Sequence, residues 1–216
     1  MYTPRHNLVE DEDAIRQMVA AARTAWFVTA DETGVPQATF LPIIWRGNTV
    51  VMHVARANRH WRALAPGAQA LLIVTGPDAY ISPSWYASKQ IDGKVVPTWD
   101  YTAVQLTGTV TVHEDPEWLR TAVTELTDTH ESAREHPWAV TDAPPEHIDF
   151  ELSGIVGIEV TATNVEAKAK LNQNYSAADR RGAVEGLTHE PFVDAPAVAE
   201  QIAETLVGDQ SSISSS

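Results

Sequence analysis

The sequence predicts an α+β fold, mainly β, in which helices flank a barrel of antiparallel strands. Three observations predict it. An apolar meander runs from Trp26 to Ala55 and is broken by turn residues; an alternating segment runs from Ala103 to Val112; and capped amphipathic helices stand on either side. Many short strands with turns between them suggest closure into a barrel.

The elements follow in order. Asp11 caps a helix in which Ile15, Met18, Val19 and Ala22 fall on one face. A strand at Trp26 to Ala30, a turn at Asp31-Glu32-Thr33-Gly34, a strand from Ala38 to Trp45, a turn at Arg46-Gly47-Asn48 and a strand from Val50 to Ala55 complete the meander. Ala70 to Val74 is a further apolar run ending at Gly76-Pro77, and the Ala103–Val112 strand carries Gly108 at a bend. Asp115-Pro116 places cap and proline in the favoured order for a helix to about Glu131, and Glu135 to Pro145 reads as a proline-interrupted loop. Ile155 to Val160 is a strand, and Ser176-Ala177-Ala178-Asp179 resembles a capping box with Asp in place of Glu. A last helix spans about Ala197 to Val207. One domain is expected over 1–208, with a disordered serine-rich tail over 209–216.

Composition narrows the function. Fifteen Lys and Arg against 29 Asp and Glu give a net charge of −14, which repels a phosphate backbone, so direct nucleic-acid binding is not expected. The chain has no cysteine, which removes disulfides, thiolate metal sites and iron–sulfur clusters and leaves histidine as the soft metal ligand. No run is long and apolar enough for a membrane span, and the start of the sequence lacks the apolar run of a signal peptide, so a cytoplasmic protein is expected.

Four clusters bring hydroxyls, cations and aromatic rings together. They are His53 to Trp61, Gly76 to Tyr86 followed by Lys89, Val96 to Tyr101, and Lys168 to Asn174 followed by Asp179-Arg180-Arg181-Gly182. Each also has a structural reading. Trp85, Tyr86, Trp99 and Tyr101 suit a core or interface. Arg56, Arg59, Lys89 and Lys170 suit a solvated surface. His53 suits a hydrogen-bonded interior, and Ser82, Ser84 and Thr98 suit turn caps.

Taken together, the four motifs resemble, over almost the whole chain, the PaiB family, known as flavin mononucleotide (FMN)-binding proteins and negative transcriptional regulators. The resemblance implies an FMN-binding split β-barrel with flanking helices, normally a homodimer, with the cofactor between barrel and partner subunit. Three positions depart from the family's usual pattern. Asp78 stands where His is common, Asp100 where Asn is common, and Asn172 where Ser is common. A carboxylate close to a bound phosphate is unfavourable by about 1 kcal/mol or more and suits a cationic ligand instead.

The haem-dependent piperazate synthases are a PaiB-like branch that joins the two nitrogens of N5-hydroxy-L-ornithine. Carried onto this sequence, the resemblance implies heme b, with FMN as the alternative, and a small amino-acid substrate. Asp100, Tyr86 and Lys89 become the candidate catalytic residues, with Asp100 or Asp78 positioning the substrate ammonium. Arg56, Asn58, Arg59, Ser82, Ser84, Trp85, Thr98, Trp99, Lys170 and Gln173 become candidate cofactor contacts. His60 is the first candidate iron ligand, reaching across the pocket mouth, and His53 is the second. The alternative reading is an FMN-binding regulator or flavin-dependent redox protein, and a third is a regulator acting through protein partners.

Overall fold

The computed structural model describes residues 1–31 and 33–213, with side chains through Val207. In chain order its principal elements are β1 (Leu8–Val9), α1 (Glu12–Ala22), β2 (Thr24–Ala30), β3 (Pro36–Pro42), β4 (Ile44–Arg46) and β5 (Thr49–Ala55). These are followed by β6 (Gln69–Ile81), β7 (Thr98–His113), α2 (Pro116–Glu131), α3 (Pro145–Ser153), β8 (Ile155–Lys170), α4 (Ala177–Leu187) and α5 (Ala195–Ile213). Contacts cluster in two compact units within the stretch read as one domain. The first comprises Met1–Ile15, Thr75–Ala103 and Ala167–Ser216, and the second comprises Arg16–Val74 and Val104–Glu166.

The second unit is the barrel-like sheet, in the strand order β3-β2-β6-β7-β8-β5-β4. Its pairing follows from period-two alternation: Phe27 lies opposite Thr39 and Leu72 and is fully buried, while Trp26, opposite Phe40, faces out. Met52, Leu72, Leu106 and Ile158 join Phe27 in the core, each worth about 1.5–3 kcal/mol when fully buried. β3 and β4 end the strand order and do not pair with each other among the described residues, so the sheet is open where closure was expected. α2 begins as expected, with the Asp115 carboxylate accepting from Trp118 N, and packs with α3 around Leu119, Val140, Ile148 and Leu152. α1 starts where Asp11 accepts from Ala14 N at 2.7 Å and stops at Arg23, whose φ of 60° is left-handed. Arg23 N closes on Val19 O at 2.9 Å, a helix end where glycine would cost about 1 kcal/mol less than arginine.

In the first unit β1 pairs with the end of β8, Leu8 opposite Lys168. α4 and α5 bury Ala183, Leu187, Val198 and Ile202 against Ile81, Tyr86 and Leu171. Ser176 caps α4 as its sequence motif predicts, accepting from Asp179 N at 3.1 Å and donating to Asp179 Oδ2 at 2.8 Å.

Several boundaries differ from expectation: the strand read over Ala38 to Trp45 is divided at Ile43 into β3 and β4, and β7 starts at Thr98 rather than Ala103. β6 does not stop at Gly76-Pro77 but continues to Ile81. A Cβ on Gly76 would lie 2.1 Å from Thr102 Oγ1, so the glycine permits the close approach of β7 rather than a turn. α3 opens at Pro145, where only a loop was read, because proline suits a first helical position. β8 runs ten residues past the expected end at Val160. α5 begins at Ala195 and continues to Ile213, over much of the stretch read as a tail, and Ser214 to Ser216 lie outside the described residues.

Candidate functional site

In the first unit β7 and β8 place a charged pair on the protein interior. Asp100 is fully buried; its Oδ1 accepts from Lys170 Nζ at 3.2 Å and its Oδ2 has no partner. Burial pushes the carboxyl up to about 6, against the opposing pull of the Lys170 charge and hydrogen bond. Lys170 Nζ also donates to Thr98 Oγ1 at 2.5 Å and to the Trp99 carbonyl at 2.6 Å, so its three donors are directed inward.

Beside this pair lies a second buried polar group. Tyr86, 2% exposed, donates from its hydroxyl to Asn172 Oδ1 at 3.4 Å and stacks on Tyr175 with ring centroids 4.7 Å apart. Burial, reinforced by Tyr175 and Asp100, raises the Tyr86 phenol strongly, so it stays protonated and acts as a donor. Asn172 holds a left-handed φ of 58°, is 2% exposed, and leaves Nδ2 without a partner. An acceptor, Asp100 Oδ2, and a donor, Asn172 Nδ2, are thus both buried and unpaired, which marks a polar interior that a ligand or water could satisfy.

Other residues proposed from the sequence brace the chain. Gln173 spans its own turn, accepting from Leu171 N at 2.8 Å and donating to Ala169 O at 2.6 Å. Ser82 caps the turn at Pro83–Trp85 by accepting from Ser84 N, and exposed Lys89 donates to Ser84 Oγ at 3.1 Å. Trp85 is wedged under α4: a Cβ on Gly186 would come within 2.2 Å of its ring, and one on Gly182 within 2.0 Å of its carbonyl oxygen. Trp99 is half exposed, donates to Asp78 Oδ1 at 2.9 Å and meets Tyr80 edge-on at 6.2 Å. Sequence reasoning overlooked Tyr175 and the buried bond from Lys168 Nζ to Tyr101 Oη at 2.8 Å. The spacing of Lys168 and Lys170, two apart on a strand with alanines between and before, was the available signal that both share one face.

The second unit holds the His53–Trp61 motif. His60 is 4% exposed, and both ring nitrogens are engaged, Nε2 by Thr29 Oγ1 and Nδ1 by Thr39 Oγ1, each at 2.8 Å. Its ring also packs on Phe27 at 4.8 Å, and burial pushes its pKa down. The helical turn His60–Ala63 therefore drives the imidazole into the sheet rather than across a pocket mouth, and metal ligation by His60 would require giving up a threonine. His53, on β5, is half-buried and kept neutral by burial, and neither ring nitrogen has a hydrogen-bond partner among the described residues.

Arg56 is committed to Glu114 and to the carbonyls of Ser153 and Ile155. Asn58 accepts from His60 N at 2.9 Å, and the exposed Arg59 has no side-chain partner among the described residues. No cluster of three or more His, Asp or Glu that could hold a metal ion occurs among the described residues. Nor is any helix there long and apolar enough to cross a membrane.

The sequence matches a family model described as "Putative FMN-binding domain" over residues 1–164. It is 30% identical over 210 residues to "Protease synthase and sporulation protein PAI 2" of Bacillus subtilis, covering 95% of this chain and 98% of that protein. The fold is similar to that of the FAD and heme binding protein from Mycobacterium smegmatis, with a TM-score of 0.58, 20% identity, and coverage of 76% of this chain and 73% of that one. It is also similar to that of the flavocytochrome Anf3 from Azotobacter vinelandii, with a TM-score of 0.56, 17% identity, and coverage of 78% and 72%. These likenesses show the FMN-binding split β-barrel architecture with flanking helices. A family match across three quarters of the sequence and a relative aligned nearly end to end place this chain in the PaiB family.

Proposed function

We propose that this protein is a cofactor-dependent enzyme acting on a small amino-acid substrate, and specifically a heme b enzyme that cyclises N5-hydroxy-L-ornithine to L-piperazate. The observation that carries the reading is Asp100. A fully buried carboxyl raised to about 6 can hold a proton near neutral pH, and its second oxygen lacks a protein partner. Heme- and flavin-binding proteins share the fold, and the PaiB family is defined by a flavin-binding description, so a flat redox cofactor of either kind suits the chain.

The chemistry heme would supply when bound is polarisation of the substrate N–O bond. In the overall reaction the N–O bond breaks, an N–N bond forms and one water leaves, so no external oxidant or reductant is consumed. Asp100 gives its proton to the departing hydroxide and recovers one from the attacking α-amine. Asn172 Nδ2 offers a donor to the substrate carboxylate, and Lys170 sets how readily Asp100 releases its proton. We further propose a homodimer that does not bind nucleic acid directly.

The second reading is a flavin-binding redox protein or regulator. It is favoured by the exposed Trp99–Tyr80 pair and by the Lys89–Ser84 contact, which offer a ring face and a cation to a flavin nucleotide. The test is reconstitution with hemin and, separately, with FMN, followed by incubation with N5-hydroxy-L-ornithine and mass spectrometry for loss of water. A Soret band at about 400 nm with turnover that Asp100→Asn abolishes while the band remains supports the cyclase. Flavin uptake with no heme binding, or an Asp100→Asn variant that turns over like the wild type, overturns it.

A further inference from the structure

The second unit contains a cavity lined by none of the residues invoked for the heme or flavin chemistry. Its volume is about 380 Å³, and it is lined by Arg16, Val19 and Arg23 from the α1 segment, Trp45 and Arg46 from β4, and Glu125 from α2. Three arginines against one glutamate reverse the local charge in a chain whose acidic residues outnumber its Lys and Arg by 29 to 15. That reversal attracts anions to this position.

One wall is an arginine stacked on an indole. The Arg16 guanidinium lies 4.2 Å from the centre of the Trp45 ring and donates to Gly47 O at 2.8 Å, which fixes the indole in place. Trp45 Nε1 is shielded from solvent and has no acceptor among the described residues. Arg46 is paired with Glu125. Arg23 has no side-chain partner among the described residues, and it occupies the left-handed end of α1, a position that favours glycine. Arg23 thus adds a guanidinium without a side-chain partner among the described residues to a cavity lined by two further arginines and an indole.

We propose that this cavity is a binding site for a small aromatic carboxylate, separate from the heme or flavin chemistry proposed above and independent of it. The carboxylate pairs with Arg23, and the ring lies against the apolar lining supplied by Val19, Ile43 and Ile44. A cavity of this size takes a molecule of one or two fused rings.

Isothermal titration of the full chain with 1-naphthoate, and with its neutral isostere 1-naphthalenemethanol, tests the proposal. The acid is expected to bind saturably at one site per chain and at least about tenfold more tightly than the alcohol. Arg23→Gly is the informative variant, because it removes the guanidinium while relieving the left-handed backbone, so the fold is kept and the melting temperature does not fall. It is expected to weaken naphthoate binding at least about tenfold, with Arg134→Gln as an unaffected control. No saturable binding, equal affinity for acid and alcohol, or full affinity in Arg23→Gly overturns the assignment.

Discussion

Replacing Asp100 with asparagine changes how the stability of the protein depends on pH, in a direction the buried carboxyl fixes. In the folded chain the Asp100 pKa is raised from 3.8 to about 6, so between those values the native state binds more protons than the unfolded state. Its stability contribution is therefore fully present below the unfolded value and is lost as pH rises through the folded one. The whole effect amounts to about 3 kcal/mol, and nearly half of it, about 1.4 kcal/mol, falls between about pH 5 and pH 8. That range keeps the protein above its isoelectric point of about 4.8. Asparagine cannot ionise, so the stability of Asp100→Asn relative to wild type should improve by about 1.4 kcal/mol from pH 5 to pH 8. Urea denaturation followed by tryptophan fluorescence at both pH values measures this. A difference constant within about 0.3 kcal/mol across the range would refute the buried, proton-holding carboxyl.

Lys170→Met should destabilise by about 3 kcal/mol at pH 8 and by much less at pH 5, since it leaves Asp100 charged and unpaired only when ionised; a pH-independent loss would contradict this. Gly186→Ala should cost at least about 2 kcal/mol in thermal melts, because its Cβ would meet the Trp85 ring at 2.2 Å; a neutral result would mean that Trp85 is not wedged there. His60→Ala should destabilise by about 2–4 kcal/mol through two lost threonine bonds and the packing on Phe27; thermal melts measure it, and a neutral result would mean that the imidazole is not held between Thr29 and Thr39. Light scattering should give about twice the 23.6 kDa chain mass, since Trp26 and Phe40 stand exposed side by side on the β2–β3 edge, and a clean monomer that still binds cofactor would count against the dimer.

The parts of the fold legible in the sequence were those fixed by neighbours in the chain. Asp115-Pro116 and Ser176 to Asp179 announced their helices because a cap and the amide it accepts from lie three residues apart. Phe27 and Trp26 announced a half-buried strand because alternation is local. The failures share a physical cause, contacts between residues distant in sequence. Gly76 reads as punctuation until Thr102 is brought against it. His60 reads as a free imidazole until Thr29 and Thr39, 31 and 21 residues away, take both nitrogens. Arg56 reads as a cation for a propionate until Glu114 claims it. At Tyr86 and Trp85 the structural reading and the functional one compete, and packing decides for structure in the latter.

Asp78 and Asp100 acquire a different meaning once their partners are known. As isolated charges, Asp78 and Asp100 argue against an anionic cofactor. In the folded chain Asp100 sits against Lys170, so the pair presents little net charge to anything beyond it, and Asp78 accepts from the Trp99 indole. Repulsion of a flavin phosphate is thereby weakened as a reason to prefer heme. What Asp100 contributes instead is a buried carboxyl that can take up and release a proton around pH 6 and that has one unpaired oxygen, a property that asparagine at the same position could not supply.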